Sequence, residues 1–226
     1  MIELVKINKF YEKKKQILKD VSFIFEENKI YPLLGGRDSG KTSLLECISN
    51  DVKIDSGKVL NDKKQDPYFV SKQAILPMYI TGREYLDFLK KTKRKQTMSI
   101  KQAFELVGID DKLADTMIFD CNFEEKKRIQ LASVLVLNPY AVLFDEPLDY
   151  CSDELFETYM EVLNKFKEGH IVIISTGLYK VASKIDKDIL VLNKAELSLV
   201  EEEMFEIDEI KNAVLEITGE SKNVIK

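Results

Sequence analysis

The eight residues Gly35-Gly36-Arg37-Asp38-Ser39-Gly40-Lys41-Thr42 constrain this chain more than any other feature. They fit the pattern GxxxxGK[ST], follow an apolar strand-like run at 29–34, and lead into a helical pattern over 40–49 with Leu44, Leu45 and Ile48 on one face. In that setting the glycines let backbone N–H groups turn inward around phosphate oxygens, and the helix N-terminus adds its dipole. Lys41 is placed to reach the outer phosphates and the Thr42 hydroxyl to ligate Mg2+. A chance glycine-rich turn does not account for the lysine, the threonine and both flanking elements together.

The rest of the chain supplies a frame for such a loop. Residues 2–7 and 21–25 alternate apolar with polar side chains and read as strands. Short apolar runs without alternation recur at 141–144, 171–174 and 189–192, with a helical pattern over 153–166 between the first two. Such runs, separated by helices, imply parallel strands buried on both faces. Residues 81–137 read as almost wholly helical, so the expected plan is one α/β domain over 1–226. Its core spans 1–80 and 138–226, with a helical insert at about 81–137.

The run Ala141-Val142-Leu143-Phe144 ends in Asp145-Glu146-Pro147. A buried strand there delivers Asp145 to its tip, where the carboxylate can hold Mg2+ through water. Glu146 beside it can polarise an attacking water.

Composition closes off several other classes. With 34 basic and 39 acidic side chains the net charge is −5, which gives no general reason to bind nucleic acid. The basic run Lys90–Lys95 has no interleaved aromatic residues and reads as a solvated helix end, and the acidic stretch at 201–209 as a solvated tail element. Cys47, Cys121 and Cys151 are far apart, without a CxxC pair, which argues against structural zinc and a disulfide scaffold and suits a reducing cytosol. His170, the single histidine, has no evident metal or nucleophile partner in the sequence. No signal peptide is visible, and no apolar stretch approaches the roughly 18 to 20 residues of a spanning helix. The expectation is a soluble chain able to dock on a membrane partner.

These motifs resemble those of the nucleotide-binding subunits of ABC transporters, and the resemblance covers most of the chain. It rests on residues 35–42, on Asp145-Glu146-Pro147, and on the stretch from Arg128 to Pro139 that leads into them. Weaker matches are Asp20-Val21-Ser22-Phe23, Ser56-Gly57-Lys58, Thr81-Gly82-Arg83-Glu84 and Val191-Leu192-Asn193-Lys194. The resemblance implies a P-loop core with a parallel sheet, an N-terminal antiparallel β part and a helical subdomain, with ATP and Mg2+ as cofactors. Tyr11 is then expected to stack on adenine, and Gly35, Gly36, Arg37, Asp38, Ser39, Gly40, Lys41, Thr42 and Ser43 to bind the nucleotide. Thr42 and Asp145 are expected at the metal, and Glu146 and Lys41 in catalysis. Gln73 is chemically suited to the metal and the γ-phosphate, while an ungapped alignment puts Lys72 at that position. Segment 73–84 is expected to face a membrane permease, on the cytoplasmic face of the cell membrane.

The resemblance also exposes departures. The family works as a dimer in which one chain's phosphate loop meets the other's LSGGQ signature at a helix start. Here that position reads Cys121-Asn122-Phe123-Glu124-Glu125. Phe123 obstructs the close backbone approach that glycine permits. Two unit charges about 5 Å apart at an effective dielectric near 20 repel by roughly 3 kcal/mol, so Glu124 and Glu125 oppose a γ-phosphate. Asn122 and Glu125 also have the spacing of a capping box, by which the helix start satisfies itself. Gly177 stands where the family has a switch histidine, and losing one donor to a transition-state phosphate commonly costs about a hundredfold in rate. Asp38 replaces the usual glycine, tolerating a left-handed backbone but adding charge beside the phosphates. Residues 148–153 are atypical as well.

Slow hydrolysis in isolation follows as an expectation. So does pairing with a second ATPase subunit that carries an intact signature, with a homodimer as the alternative. The rival readings are a non-transport ABC ATPase, a regulatory pseudo-ATPase, a small-molecule kinase, and a P-loop GTPase suggested by Asn193-Lys194-Ala195-Glu196.

Overall fold

The computed structural model describes residues 1–11, 15–63, 65–92, 98–201, 203–204, 212–213 and 216–219. Lys93 to Lys95 and most of the acidic stretch at 201–209 lie outside them. The chain divides into two compact units, one of residues 1–69, 140–149 and 167–226, the other of 70–139 and 150–166. The helical unit is thus wider than the expected 81–137: it starts at 70 and takes in the helix at 153–166.

In the first unit the apolar runs become strands where the sequence places them. Strands β1 (Ile2–Tyr11), β2 (Lys15–Phe25) and β4 (Ser56–Asn61) form an antiparallel sheet in the order β2-β1-β4. A second sheet has the order β5-β6-β7-β3-β8-β9, where β3 is Lys29–Leu34, β5 Tyr68–Val70, β6 Ala141–Phe144, β7 Ile171–Thr176, β8 Ile189–Asn193 and β9 Glu196–Val200. β3 pairs in parallel with β7 and β8, and β6 in parallel with β7.

Both faces of β3, β6, β7 and β8 are buried, which is why these strands do not alternate in sequence. Leu33, Leu143, Ile171, Ile173, Leu190 and Leu192 join the cluster built with Ile2, Leu4 and Phe25 of the antiparallel sheet and with Leu44, Leu45 and Ile48 of helix α1 (Lys41–Ile48). Their neighbours Leu34, Ile189 and Val191 instead pack with Tyr179 and Ala182 of a helix at Tyr179–Ile185. The sequence reading missed that helix, β4, β5 and β9, which are short or, at the edges, too polar to announce themselves.

The turn from β8 to β9 settles one rival. Asn193 pairs with Glu196 across a two-residue hairpin in which Lys194 (φ 47°) and Ala195 (φ 68°) both have left-handed backbone. That is a type I′ hairpin turn, so the Asn-Lys-Ala-Glu string is a strand connection rather than a base-reading loop. His170 lies before the first residue of β7, the end of that strand opposite Thr176, and its Nδ1 contacts the Glu168 carbonyl.

The second unit is helical: α2 (Gly82–Lys91), α3 (Ile100–Leu106), α4 (Asp111–Ala114), α5 (Phe123–Leu137) and α6 (Asp153–Phe166). α5 is buried at every residue from Lys127 to Leu137. Arg128 braces it, donating from Nη1 to the Val107 carbonyl (2.7 Å) and from Nη2 to Glu154 Oε1 (2.8 Å). At the surface Arg83 Nε donates to Asp115 Oδ1 (2.7 Å) and Nη2 to Asp111 Oδ1 (2.8 Å). The Arg83 hydrogen bond holds the Asp115 carboxyl below its ordinary value of 3.8. A carboxylate lowered in the folded state stabilises above its unfolded value, and that contribution disappears as pH falls through the folded value. Arg83→Gln is therefore expected to lower the stability of the chain at neutral pH, with the difference from wild type closing as pH drops below 3.8. Thermal unfolding across that range measures it.

Candidate functional site

The register of the parallel strands brings the predicted residues of the first unit together. β7 lies between β6 and β3, with Leu34 beside Thr176 and Phe144 beside Ile174, so the segments after all three strands leave the same edge. Gly35 N donates to the Thr176 carbonyl (3.2 Å), anchoring the phosphate loop where β3 ends. The loop then turns through Asp38 at φ 59° and Gly40 at φ 104°. Asp38 thus takes the left-handed backbone that its glycine-like position requires.

Three glycines are required by space, Gly36 because a Cβ there would run into the Ile217 carbonyl. A Cβ on Gly40 would meet Ile17 Cγ2 at 2.7 Å, and one on Gly35 the Leu192 carbonyl at 2.8 Å. Helix α1 begins at Lys41 with no side-chain cap and no acid in its first turn. Ser39 Oγ is buried without a hydrogen-bond partner among the described residues. A cradle closed to side chains, a bare helix start and an orphaned hydroxyl fit a bound phosphate. Lys41, 4% exposed, holds its Nζ 2.7 Å from the Gly35 carbonyl, 2.9 Å from that of Gly36 and 3.2 Å from Glu146 Oε1. Arg37 and Asp38 are exposed, and Ser43 Oγ donates to the Tyr11 hydroxyl (3.4 Å), which brings the Tyr11 ring to the first turn of α1.

Asp145 joins the three segments. Thr42 Oγ1 donates to its Oδ2 (2.9 Å) and Ser175 Oγ to its Oδ1 (2.9 Å), while Ser175 Oγ accepts from Glu146 N (2.9 Å). Thr42 and Asp145, a hydroxyl and a carboxylate in contact, are a donor set suited to Mg2+. Glu46, on α1, has its carboxyl pushed up by burial and then by the charges of Asp145 and Asp51. Sequence reasoning gave Ser175 no role, although hydroxyls closing a strand of Ile and Val are themselves a signal.

Asp149 is the second buried acid of this edge, 7% exposed. It accepts from Thr176 Oγ1 at Oδ1 (2.5 Å) and from Gly177 N at Oδ2 (2.8 Å). Burial raises its carboxyl above the ordinary value, against the lowering effect of those two bonds; the Glu146 charge adds to the rise and Lys41 opposes it.

Gln73 belongs to the helical unit, in an exposed loop where its carbonyl accepts from Ser71 Oγ (2.7 Å). Its neighbour Lys72 accepts at its carbonyl from Lys127 Nζ of α5 (2.6 Å). The same unit carries the segment read as a poor signature. Asn122 Oδ1 accepts from Glu125 N (3.0 Å) and Glu125 Oε2 accepts from Asn122 N (2.7 Å), a complete capping box. Glu124 is occupied too: its carboxylate accepts from Ser152 N (2.7 Å) and Ser152 Oγ (2.8 Å), just ahead of α6. Phe123 is exposed, with its ring 5.6 Å from Lys127 Nζ. Asn122→Ala removes the acceptor for Glu125 N and is expected to cost about 1 kcal/mol, read as a lower urea midpoint.

Among the described residues, no group of three or more His, Cys, Asp and Glu side chains is placed to hold a metal ion, and no helix is long and apolar enough to cross a membrane.

Comparison with known proteins agrees with this geometry. The sequence profile of the ABC transporter family matches residues 18–149, more than half of the chain. The chain is 27% identical over 207 residues to the energy-coupling factor transporter ATP-binding protein EcfA2 of Caldanaerobacter subterraneus, covering 81% of this chain and 71% of that protein. It is 27% identical over 221 residues to the methionine import ATP-binding protein MetN of Clostridioides difficile, covering 87% and 67%. A bacterial ABC transporter cassette solved as a dimer superposes with a TM-score of 0.78 at 22% identity, over 89% of this chain and 99% of that one, which establishes the shared fold. With loop, paired acids and fold in agreement, the chain belongs to the ABC transporter family, as an ATP-binding subunit.

Proposed function

We propose that this chain is a weakly hydrolysing ATPase subunit that works in a pair with a different ATPase subunit and drives a membrane permease from the inner face of the membrane. The observation that carries the reading is the contrast between its two helix starts. α1 opens bare behind a glycine loop, whereas α5 opens with its first-turn acids bonded within the chain.

In this reading Gly35 to Ser43 hold the phosphates and Tyr11 the adenine. ATP phosphates compete for Lys41 with the Gly35 and Gly36 carbonyls that hold it otherwise. Thr42 and Asp145 would hold Mg2+, and Gln73 is the residue of its loop chemically suited to the metal; bound Mg2+ neutralises phosphate charge. Glu146 orients the attacking water, its backbone N–H fixed on Ser175 Oγ. The docking of a permease on segment 73–84 is supported by exposed apolar side chains there. Tyr79 is 83% and Ile75 82% exposed, and Tyr79 stacks on Phe119 with ring centroids 6.4 Å apart. The curated relatives named above serve different transport systems, so the cargo is left to the permease.

The anion-binding capacity of the α5 start is used internally, so two copies of this chain would build two defective composite sites. A partner subunit with a glycine-rich helix start would complete the site at this chain's phosphate loop. A second reading, a regulatory subunit that binds ATP without turnover, is favoured by Gly177.

Isothermal titration should show Mg-ATP binding by wild type and none by Lys41→Ala at the same concentrations. No adenine nucleotide binding by wild type, or binding indifferent to Lys41→Ala, would overturn the proposal. Light scattering of Glu146→Gln with Mg-ATP should report a monomer. Adding Phe123→Gly, Glu124→Gly and Glu125→Gln should produce an ATP-dependent dimer. A stable homodimer with the native segment would refute the pairing argument. Turnover in an assembled pair, with this chain's Glu146 as the only catalytic acid, separates the hydrolysing from the regulatory reading.

A further inference from the structure

Asp149 is not used by the scheme above, yet its surroundings are those of the reacting edge. It is buried, and the charges of Glu146 and Lys41 reach its carboxylate. Its two oxygens take up consecutive donors where β7 ends: Thr176 Oγ1 on one and Gly177 N on the other. Thr176 Oγ1 in turn accepts from Leu178 N (3.0 Å), so one carboxylate fixes three residues in sequence.

The position of Gly177 is informative in the same way. A Cβ built on it lies 3.4 Å from Asp149 Oδ2 and 3.9 Å from the Gly35 carbonyl, with no backbone clash and no left-handed backbone. Glycine is thus not demanded by sterics at 177. Any side chain there would leave along the gap between the phosphate loop and the Asp149 carboxylate, which already stands beside that path. Two acids from the segment after β6 therefore bolt onto consecutive hydroxyls at the end of β7: Asp145 onto Ser175 and Asp149 onto Thr176.

We propose that Asp149 is a positioning residue for phosphoryl-group hydrolysis, holding Thr176, Gly177 and Leu178 against the phosphate loop and doing by a backbone clamp what no side chain at 177 can do. It does not touch the nucleotide; it acts through the segment after β7 on the spacing between Gly35 and Glu146. Both anchors of that spacing pass through β7, since Gly35 N is bonded to the Thr176 carbonyl and Glu146 N to Ser175 Oγ. This inference rests on the ATPase reading for its kinetic consequence, but the clamp itself consists of hydrogen bonds within the chain.

The test uses Asp149→Ala, Asp149→Asn and Thr176→Val in the full chain. In nucleotide-free protein, hydrogen exchange of the Gly177 and Leu178 amides should accelerate at least about tenfold in Asp149→Ala, since a fixed acceptor is lost. Single-turnover hydrolysis should slow about tenfold or more while the Mg-ATP Kd from titration stays within about twofold, the signature of lost alignment rather than lost binding. Asp149→Asn should fall between wild type and Asp149→Ala, because its amide oxygen can still accept from one of the two donors. Thr176→Val removes the donor to Asp149 and the acceptor for Leu178 N while keeping the Gly177 bond, so faster exchange at Leu178 with slower single turnover provides the measurement if Asp149→Ala does not fold. Unchanged exchange at Gly177, or equal losses of rate and affinity in step with a lower Tm, would overturn the proposal. Failure of wild type to bind Mg-ATP would instead overturn the ATPase reading, leaving the exchange result to decide the clamp.

Discussion

The carboxylate of Asp145 is the joint on which the site is built. One oxygen takes the Thr42 hydroxyl from the first turn of α1, the other the Ser175 hydroxyl from the tip of β7. A single buried acid thereby fixes the start of the helix behind the phosphate loop to the two neighbouring strand ends. Low local dielectric strengthens such bonds and makes an unpaired carboxylate there expensive, so the arrangement is either complete or absent. The strand order supplies the geometry: β7 between β3 and β6, all parallel, with ends in register. Ligand sites of open α/β sheets lie at this edge because several segments converge there on backbone already held rigid.

Much of this was legible in sequence because it obeys local rules. Strand bounds at Lys29–Leu34 and Ala141–Phe144 and helix bounds at Asp153–Phe166 follow from apolar runs flanked by turn and cap residues, and they fall where expected. The capping box of α5 was readable for the same reason: Asn122 and Glu125 need only their own backbone. What was not legible depends on non-local partners. Glu124 looked like unbalanced charge, and nothing nearby in sequence announces that Ser152 supplies both of its donors. Asp149 looked like an oddity of an atypical segment until the register of β7 put Thr176 and Gly177 beside it. The edge strands β4 and β9 escaped because half-exposed strands carry little apolar pattern.

The two acids after β6 divide the labour in a way their burial explains. Asp145 meets a hydroxyl on each oxygen, one of them on the phosphate-loop helix, so its charge is directed to where a metal would sit. Asp149 meets the hydroxyl of the last residue of β7 and the next backbone N–H, so its charge is spent on backbone geometry. Burial raises the Asp149 carboxyl, and the hydrogen bonds from Thr176 and Gly177 pull against that rise. A carboxylate kept under those opposing influences is held for its hydrogen bonds rather than for solvent-facing charge.

The same chemistry underlies the proposed pairing with a different subunit. A helix start attracts an anion in proportion to the N–H groups it leaves unpaired. α1 leaves its own without any side-chain cap, and a Cβ at Gly35 or Gly40 would clash with the Leu192 carbonyl or with Ile17. α5 supplies its own carboxylate to the Asn122 N–H, and Asn122 covers the Glu125 N–H. An incoming phosphate at α5 has to displace a tethered carboxylate whose effective concentration is fixed by a three-residue spacing. Reversing that preference needs the acids of the first turn removed, whereas removing the cap alone destabilises the helix without creating a competent binding surface. The α5 start bonds its first-turn acids within the chain, which is the physical ground for the proposal that a different chain supplies the open signature.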